Sequence, residues 1–342
     1  MRYLKDLIAS ERAGRGRTNL KLLLVAQQLL PLVLSAPASA QAVPPPGNPP
    51  APPESVFIKP ATIDNSLEVT GEPVAAKEIN FRMQVGVLID GKGPYRFFVD
   101  SGADRSVIGF SLAERLGLPA GPDVILHSTG SAQQAHTVHI NTLQVGSSTI
   151  HDIAAPALPE RFLGGDGMLG IDALIDQRLT IDFDKKSVVV QDAQAREQSA
   201  GPDEVVITAR RRKGQLILTQ ARTGNTQIAA VIDTGTEVTV GNSALREKLL
   251  RRNRTPVMTT TLISVTGEQV PADLLAVPEI RIGDLVLHNV LIAFSDVPPF
   301  KLFGLEHEPA ILLGSDLLSS FRRVSLDFRR RKVRFSLRPE SR

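Results

Sequence analysis

Two stretches of the sequence share one pattern: Phe97-Phe98-Val99-Asp100-Ser101-Gly102-Ala103 and Ala230-Val231-Ile232-Asp233-Thr234-Gly235-Thr236. In each, an apolar run typical of a buried strand is followed by an aspartate, a small hydroxyl residue and a glycine. Glycine permits tight backbone geometry and the close approach of another chain. Each stretch therefore predicts a strand that ends in a tight loop holding one carboxylate.

The likeness between the two stretches continues downstream in the same order. Val145-Gly146 is matched by Ile282-Gly283, and Ile181-Asp182-Phe183 is matched by Leu326-Asp327-Phe328. The offset between matched residues grows from 133 at the aspartates to 145 at the last match, as small loop insertions would produce. One Asp-Ser-Gly or Asp-Thr-Gly triplet is an ordinary turn sequence. Two in register predict a tandem duplication of domain-sized units.

Alternation of apolar and polar residues with a period of two dominates both units, for example over Thr137–Gln144, and this period predicts strands. The predicted helices are short: Ser111–Leu116, Ser243–Arg252, and a turn or two after Gly170 and Gly314. The predicted fold class is all-β (mostly β with short helices), with two duplicated lobes. A cleft between two lobes is a common place for a ligand to bind.

The N-terminus has the pattern of an export signal. A basic stretch precedes an apolar run of 13 residues, Leu22–Leu34, and small residues follow at Ala38-Ser39-Ala40. A membrane-spanning helix needs about 20 apolar residues, so residues 1–40 are predicted to be a cleaved signal peptide. The mature protein is then exported, with the periplasm as the expected compartment. An uncleaved signal that anchors the protein in the membrane is the alternative.

A proline-rich spacer is predicted over residues 41–73, because seven of the ten residues Pro44–Pro53 are proline and such a run favours an extended chain. The first lobe is predicted over 74–195 and the second over 203–337. Since one chain carries both halves, we expect a monomer without a stable membrane span once the signal is removed. A dimeric or lobe-exchanged assembly is an alternative that the duplication makes unnecessary.

The composition excludes several functional classes. The chain has no Cys, which excludes a disulfide framework, a thiolate metal site and a cysteine nucleophile. It has no Trp and two Tyr, a poor supply of aromatic platforms for single-stranded nucleic acid. The net charge is +3, but the first forty residues alone contribute +4. No nucleic-acid partner is therefore expected of the mature chain.

No metal or other cofactor is predicted. His136-x-x-His139 is the only spacing that suggests a metal site, but residues three apart on a strand face opposite sides of the sheet. The basic runs 210–213, 251–254 and 329–332 could attract an anionic partner. Solvated turns between strands are the interpretation that we favour for these runs.

The sequence resembles the aspartic peptidases, in particular the retropepsin-like and pepsin-like group. The resemblance covers most of residues 79–337 and is carried by Asp100-Ser101-Gly102-Ala103, Asp233-Thr234-Gly235-Thr236, Leu169-Gly170 and Leu313-Gly314. It implies acid-protease-like lobes in the pepsin-like, single-chain arrangement, with an apolar-apolar-Gly segment crossing behind each catalytic loop. Asp100 and Asp233 would be the catalytic pair. The remaining loop residues would support them, with Ser101 and Thr234 able to hydrogen-bond across to the opposite loop.

The mechanism that the resemblance implies follows from the chemistry of paired carboxylates. Two carboxylates held close together cannot both ionise readily, so they share one proton. The ionised member takes a proton from a water that attacks the peptide carbonyl, and the protonated member polarises the carbonyl oxygen. The predicted function is therefore an exported aspartic endopeptidase acting on a peptide or protein. The alternative is a catalytically silent module of the same fold that binds extended peptides.

Three further residues are predicted to bind substrate. Gly130 and Gly267 lie in Gly-containing tips between strand-like runs, and by resemblance these tips are flaps that close over a peptide. Plain surface hairpins are the alternative. Asp104 matches a position that contacts the substrate backbone in retropepsins. Its counterpart, Glu237, departs from that pattern.

Overall fold

The computed structural model describes residues 62–64, 73–79, 81–128, 130–174, 177–192, 200–201, 203–250 and 258–338. The predicted signal peptide and the proline run lie outside these residues, as does Thr129 in the first predicted flap. Strands make up most of the regular structure and the helices are short, as the alternating pattern predicted. Among the described residues, no helix has the length and apolar character needed to cross a membrane.

The first lobe is built from twelve described strands, two short helices and a 3₁₀ turn. Apolar residues alternate along its strands, as in Val85, Val87 and Ile89, which are buried while Gly86 and Leu88 between them are less so. The strands are β1 (Thr62–Asp64), β2 (Pro73–Ile79), β3 (Arg82–Ile89), β4 (Lys92–Val99), β5 (Val107–Gly109), β6 (Val124–His127), β7 (Ala132–Ala135), β8 (Thr137–Val145), β9 (Ser148–Leu158), β10 (Gly167–Leu169), β11 (Gln177–Asp182) and β12 (Ser187–Asp192). The helices are α1 (Phe110–Leu116) and α2 (Glu160–Leu163), and the 3₁₀ turn is Ile171–Ala173.

The second lobe repeats this plan with eleven described strands and three short helices. Its strands are β13 (Glu204–Thr208), β14 (Arg210–Arg212), β15 (Gln215–Thr223), β16 (Thr226–Ile232), β17 (Val240–Gly241), β18 (Met258–Ile263), β19 (Gln269–Ile282), β20 (Leu285–Phe294), β21 (Ala310–Leu313), β22 (Arg323–Asp327) and β23 (Lys332–Ser336). The helices are α3 (Ser243–Leu250), α4 (Pro298–Leu302) and α5 (Ser315–Leu318). The helix predicted over Ser243–Arg252 is described only as far as Leu250.

The same strand arrangement occurs in both lobes. In the first lobe, β10 lies parallel to β4 and antiparallel to β5. In the second, β21 lies parallel to β16 and antiparallel to β17. The main apolar core continues from one lobe into the other and includes Val99, Leu169, Ile232 and Leu313. The duplication read from the sequence is therefore also a duplication of structure.

A continuous sheet joins the lobes, which the sequence did not predict. One end of this sheet consists of six described strands in the order β2-β12-β11-β22-β23-β13, the first three from one lobe and the last three from the other. At the junction, β11 and β22 pair antiparallel from Arg178↔Asp327 to Asp182↔Arg323. We call these six strands the central sheet. The lobes are thus held by a backbone ladder as well as by side chains.

Reciprocal ion pairs cross the junction of the central sheet. Arg178 Nη2 lies 3.2 Å from Asp327 Oδ2, and Arg323 Nη2 lies 3.1 Å from Asp182 Oδ2. Both aspartates are buried, and a buried charge needs a partner of opposite sign. Each aspartate is therefore paired with an arginine of the other lobe, and Asp327 is paired with Arg330 of its own lobe as well, at 3.1 Å.

One described strand precedes the predicted start of the first lobe. Strand β1, Thr62–Asp64, pairs antiparallel with β9, although it falls inside the predicted spacer over 41–73. Pro73 is the first residue of β2. Proline is tolerated at the first position of a strand, where its missing N–H does not interrupt the ladder.

Candidate active site

The two aspartates sit in equivalent loops, each at the end of a strand. The backbone N–H of Asp100, after β4, donates to the carbonyl of Leu169 at 2.9 Å, and that of Asp233, after β16, donates to the carbonyl of Leu313 at 3.1 Å. Leu169 ends β10 and Leu313 ends β21, the strands that lie parallel to β4 and β16. A strand from the same lobe therefore holds each loop from behind.

The glycine after each of these strands is required by close packing. A Cβ added to Gly170 would overlap the backbone at Arg105, and one added to Gly314 would overlap the backbone at Val238. Because Arg105 and Val238 follow the aspartate loops, only glycine lets the crossing segment approach so closely. This explains the apolar-apolar-Gly pattern that the two lobes share.

Hydroxyl groups lock the two loops to each other across the lobes. The N–H of Ser101 donates to Thr234 Oγ1 at 2.9 Å, and the N–H of Thr234 donates to Ser101 Oγ at 3.1 Å. Each hydroxyl then donates to a strand-end carbonyl of the opposite lobe: Ser101 to Ile232 at 3.1 Å, and Thr234 to Val99 at 2.9 Å. All four groups are buried, so the bonds are made without competition from water.

Each carboxylate is held by backbone donors of its own loop. In both cases Oδ1 accepts the bonds, so the hydrogen bonds fix one oxygen of each carboxylate and leave Oδ2 without a bond from the loop. Asp100 and Asp233 are 7% and 9% exposed. The donors are Gly102 N–H (2.8 Å) and Ala103 N–H (3.0 Å) for Asp100, and Gly235 N–H (3.1 Å) and Thr236 N–H (3.2 Å) for Asp233.

The loops bring the two carboxylates together. A Cβ added to Gly102 would overlap the carboxylate of Asp233, and one added to Gly235 would overlap the carboxylate of Asp100. Each glycine therefore packs directly against the acid of the other lobe. All eight residues of the two predicted catalytic loops, 100–103 and 233–236, meet at this one place.

Burial and mutual repulsion change the acidity of the pair. Loss of hydration raises the pKa of Asp100, and the bonds from Gly102 and Ala103 oppose this rise. Burial, followed by the charge of Asp100, raises the pKa of Asp233 to about 7. A proton that an isolated carboxyl would lose near pH 4 is therefore retained by the pair toward neutral pH.

A second aspartate in each lobe supports the loop from below, and the sequence did not single it out as a site residue. Asp172 Oδ1 accepts from both the N–H and the O–H of Ser106, each at 2.8 Å, and Ser106 Oγ accepts from Gly170 N–H at 3.0 Å. The sequence signal that was available is its recurrence: Asp172 lies two residues after Gly170, and Asp316 lies two residues after Gly314. The matching contacts are Thr239 N–H to Asp316 Oδ2 (3.1 Å), Thr239 O–H to Asp316 Oδ1 (2.8 Å) and Gly314 N–H to Thr239 Oγ1 (3.1 Å).

The two predicted flaps are hairpins whose tips touch. The first tip lies between β6 and β7, and the second between β18 and β19. The Oγ of Ser128 lies 3.1 Å from Thr266 Oγ1, and the hydroxyl of Ser131 donates to Glu268 Oε1 at 2.7 Å. A Cβ added to Gly130 would overlap Glu268. These contacts join a hairpin of one lobe to a hairpin of the other.

The second tip also contacts the first lobe. Gly267 has a φ of +86° and lies against the ring of Phe162 in α2. Val265 of this hairpin and Leu126 of the first hairpin pack on a buried apolar cluster. The cluster includes Phe98, which lies on the strand that leads to Asp100. The tips thus cover apolar surface next to the aspartates. The cluster consists of Phe98, Val107, Leu158, Leu163 and Met168.

Asp104 and its counterpart Glu237 lie at the ends of the two loops. Asp104 is exposed and accepts a bond from Gln215 Nε2 at 3.3 Å. Glu237 pairs with Arg82 at 3.0 Å. Sequence reasoning missed both Arg82 and Gln215, because neither is part of a motif.

The histidines considered as metal ligands do not converge. His136 Nδ1 lies 2.6 Å from Asp123, whereas His139 Nε2 lies 3.8 Å from Asp152. Within the part of the chain that the structure describes, no group of three or more His, Asp or Glu is placed to hold a metal ion.

Comparison with known families agrees with this geometry. The family model described as aspartyl protease matches residues 85–173 and 219–317, together more than half of the chain. Each matched region contains one of the paired aspartates. The chain belongs to the aspartyl protease family, and the resemblance inferred from the sequence is confirmed. No curated protein matches the chain.

The close approach of the loops makes a direct prediction for Gly235→Ala. The new methyl group would overlap the Asp100 carboxylate, so we expect a loss of about 1–3 kcal/mol in the free energy of unfolding. We expect peptidase activity to fall at least about a hundredfold, because displacement of a reacting group by about 1 Å costs that much. Chemical denaturation and kcat/KM measure the two effects.

Gly201→Ala is the matched control, since the nearest atom to its added Cβ lies at 3.7 Å. It should resemble the wild type in both measurements. If Gly235→Ala does so as well, the carboxylate does not pack against the glycine as described.

Proposed function

We propose that the protein is an exported aspartic endopeptidase that hydrolyses peptide bonds with a water activated between Asp100 and Asp233. The family acts on peptides and proteins, and this supports the substrate class. The observation that carries the proposal is the pair of buried carboxylates, each held by its own loop and packed against the glycine of the other. The cross-bonded loops keep this geometry fixed before substrate arrives.

The proposed reaction needs one proton on the pair. The ionised aspartate removes a proton from the water as the water oxygen attacks the peptide carbonyl carbon. The protonated aspartate gives its proton to the carbonyl oxygen, which forms a tetrahedral diol. As the diol collapses, the C–N bond breaks, the nitrogen takes the proton from one aspartate, and one diol hydroxyl gives its proton to the other aspartate. The acid and amine products then leave. The pair then again holds one proton, so the cycle closes without a cofactor.

The hairpin tips support cleavage within an extended chain. The two tips meet each other and reach the apolar cluster beside Asp100. A peptide lying between the lobes would displace Val265 and Leu126 from that cluster. We therefore propose that an apolar substrate side chain binds there, with Gly130, Gly267 and Asp104 along the path of the peptide.

The proposal is tested with the mature protein and a peptide library from acidic to neutral pH, with products identified by mass spectrometry. Internal cleavage that Asp233→Asn abolishes is the expected result, and inhibition by a statine-type transition-state analogue would add support. The same product pattern from wild type and Asp233→Asn would exclude the aspartic mechanism. Saturable binding of peptides without any cleavage would instead support the silent peptide-binding module.

The pH dependence follows from the acidity of the pair. Because burial and the charge of Asp100 raise the pKa of Asp233 to about 7, the pair loses its proton as the pH rises through that value. We therefore expect kcat/KM to fall on the alkaline side of about pH 7, since no acid remains to polarise the carbonyl. Steady-state assays between about pH 3 and pH 9 measure this. Activity that stays level to the alkaline end would contradict the assignment.

We further propose that the protein is exported, through its predicted signal peptide, to the periplasm, and that it acts as a monomer. The basic stretch, the apolar run and the small residues before Gln41 support export. The presence of both aspartate loops in one chain supports the monomer. N-terminal sequencing of the purified protein tests the first point, with a start at or near Gln41 expected. A start at Met1 in membrane fractions would favour an anchor instead.

A further inference from the structure

Two residues at equivalent positions reach from each lobe to the catalytic loop of the other. Arg82 begins β3 and Gln215 begins β15. Their separation of 133 residues is also the separation of Asp100 and Asp233. Both side chains are buried, Arg82 at 9% exposure and Gln215 at 0%. The duplicated fold therefore uses one position twice but fills it with a cation in one lobe and a neutral amide in the other.

The contacts of Arg82 fix it against the loop of Asp233. Its Nη1 donates to the carbonyl of Gly235 at 3.4 Å, and its Nη2 lies 3.0 Å from Glu237 Oε1. Its guanidinium stacks 4.1 Å from the centre of the Phe98 ring, an arrangement that stabilises a cation. The charge is thus held in one place beside the catalytic pair.

Gln215 makes the same bridge without a charge. Its Nε2 donates to the carbonyl of Gly102 at 3.0 Å and to Asp104 Oδ1 at 3.3 Å. Gly102 and Asp104 are the counterparts of Gly235 and Glu237 in the other loop. A bridging role alone is therefore satisfied by an amide, and the cation at Arg82 calls for a separate explanation.

We propose that Arg82 is a positioning residue that sets the pH range in which the aspartate pair is singly ionised. Gln215, which carries no charge, does not share this role. The proposal rests on the proposed peptidase function. Because Arg82 is buried, its field is weakly screened and favours the carboxylate over the carboxylic acid. The pair then becomes singly ionised at a lower pH than a neutral residue at position 82 would allow.

The charges around the pair agree with this assignment. The positive charge of Arg82 lowers the pKa of both Asp100 and Asp233, against the rise that burial causes. Asp104 acts in the opposite direction on Asp100. Glu237 is compensated by its ion pair with Arg82. Removal of the guanidinium therefore both deletes a cation and leaves Glu237 without this partner.

The test compares Arg82→Gln, which copies Gln215, with Arg82→Lys and with Arg178→Gln. Arg178→Gln removes the ion pair with Asp327 that joins the lobes on the central sheet, and it does not alter Asp100 or Asp233. We expect both limbs of the pH profile of kcat/KM to move up by about half to one pH unit in Arg82→Gln. The limbs should move less in Arg82→Lys. In Arg178→Gln they should stay in place, even if that variant lowers the melting temperature.

A profile that keeps its position in Arg82→Gln, with only its height or the melting temperature changed, would overturn the proposal. If Arg82→Gln does not fold, Gln215→Arg tests the same idea in reverse. It adds a cation at the equivalent position and should move both limbs down. Limbs that stay in place would overturn the proposal in that case too.

A second readout separates this proposal from the peptidase function. The pH dependence of the unfolding free energy reports protons bound by the folded protein without any substrate. The part of the pH dependence that disappears in Asp233→Asn is due to the titration of the aspartate pair. The midpoint of this part should move to higher pH in Arg82→Gln even if no peptide is cleaved. A fixed midpoint would overturn the proposal whether or not the protein is active.

Discussion

Asp233→Asn should lower kcat/KM by about a thousandfold or more, and Asp100→Asn should do the same, since a positioned acid or base contributes up to about four orders of magnitude. Asparagine neither gives nor accepts the proton that the reaction moves. The fold should persist, because the Asn carbonyl can still accept the bonds from Gly235 and Thr236. Single-turnover assays with the best library peptide measure the loss.

Asp284→Asn is the control, because Asp284 lies exposed in the turn before β20. It should keep the activity of the wild type. If Asp233→Asn retains more than a tenth of the wild-type rate, the water is activated by some other group.

The same variant should change the pH dependence of stability. The pKa of Asp233 is raised from its ordinary value to about 7 in the folded protein, so the folded state binds a proton that the unfolded chain has lost. The stability of the wild type therefore falls, relative to Asp233→Asn, as the pH rises from about 4 to about 7. Each unit of pKa difference corresponds to roughly 1.4 kcal/mol. Parallel curves for the two proteins would contradict the raised pKa.

Thr234→Val should cost about 2–6 kcal/mol of the free energy of unfolding. The Oγ1 of Thr234 accepts from the N–H of Ser101 and donates to the carbonyl of Val99, both at 2.9 Å. Valine has nearly the same shape, so little cavity forms. Two buried backbone groups lose their partner, and each unsatisfied group costs about 1–3 kcal/mol.

Thr259→Val is the matched control, since Thr259 lies exposed on β18. Denaturant unfolding of the two variants and the wild type gives the comparison. A loss in Thr234→Val within about 0.5 kcal/mol of the control would mean that the cross-bonded loops do not hold the lobes together. A further check is activity, which should fall with Thr234→Val because both aspartate loops loosen.

The loops around Asp100 and Asp233 could be predicted because their geometry depends on neighbours in the sequence. A strand that must end in a tight loop needs glycine, and a hydrogen bond to the opposite loop needs a small hydroxyl residue. The roles of Ser101 and Thr234 could therefore be predicted from the sequence. The duplication then predicted that the two loops meet. Residues that are adjacent in the sequence meet these requirements, so a short sequence motif is enough to predict them.

The central sheet could not be predicted in the same way. Alternation along β11 shows which side chains face the core, but it does not name the strand beside it. The partner, β22, lies about 145 residues away, as in the pair Thr180↔Ser325. Arg82 was missed for a related reason. A single arginine at the start of a strand carries no pattern, and its role appears only when Glu237 of the other lobe is placed beside it.

The junction between β11 and β22 has a consequence for each lobe taken alone. A separated lobe would expose one of these strands as an unpaired edge, with a row of free N–H and C=O groups along five residues. Exposed edges of this kind invite pairing with another chain. The two strands are related by the duplication and already pair antiparallel, so the same strand of a second copy is the natural partner. Covalent linkage of the lobes thus protects the protein from self-association through its own repeat.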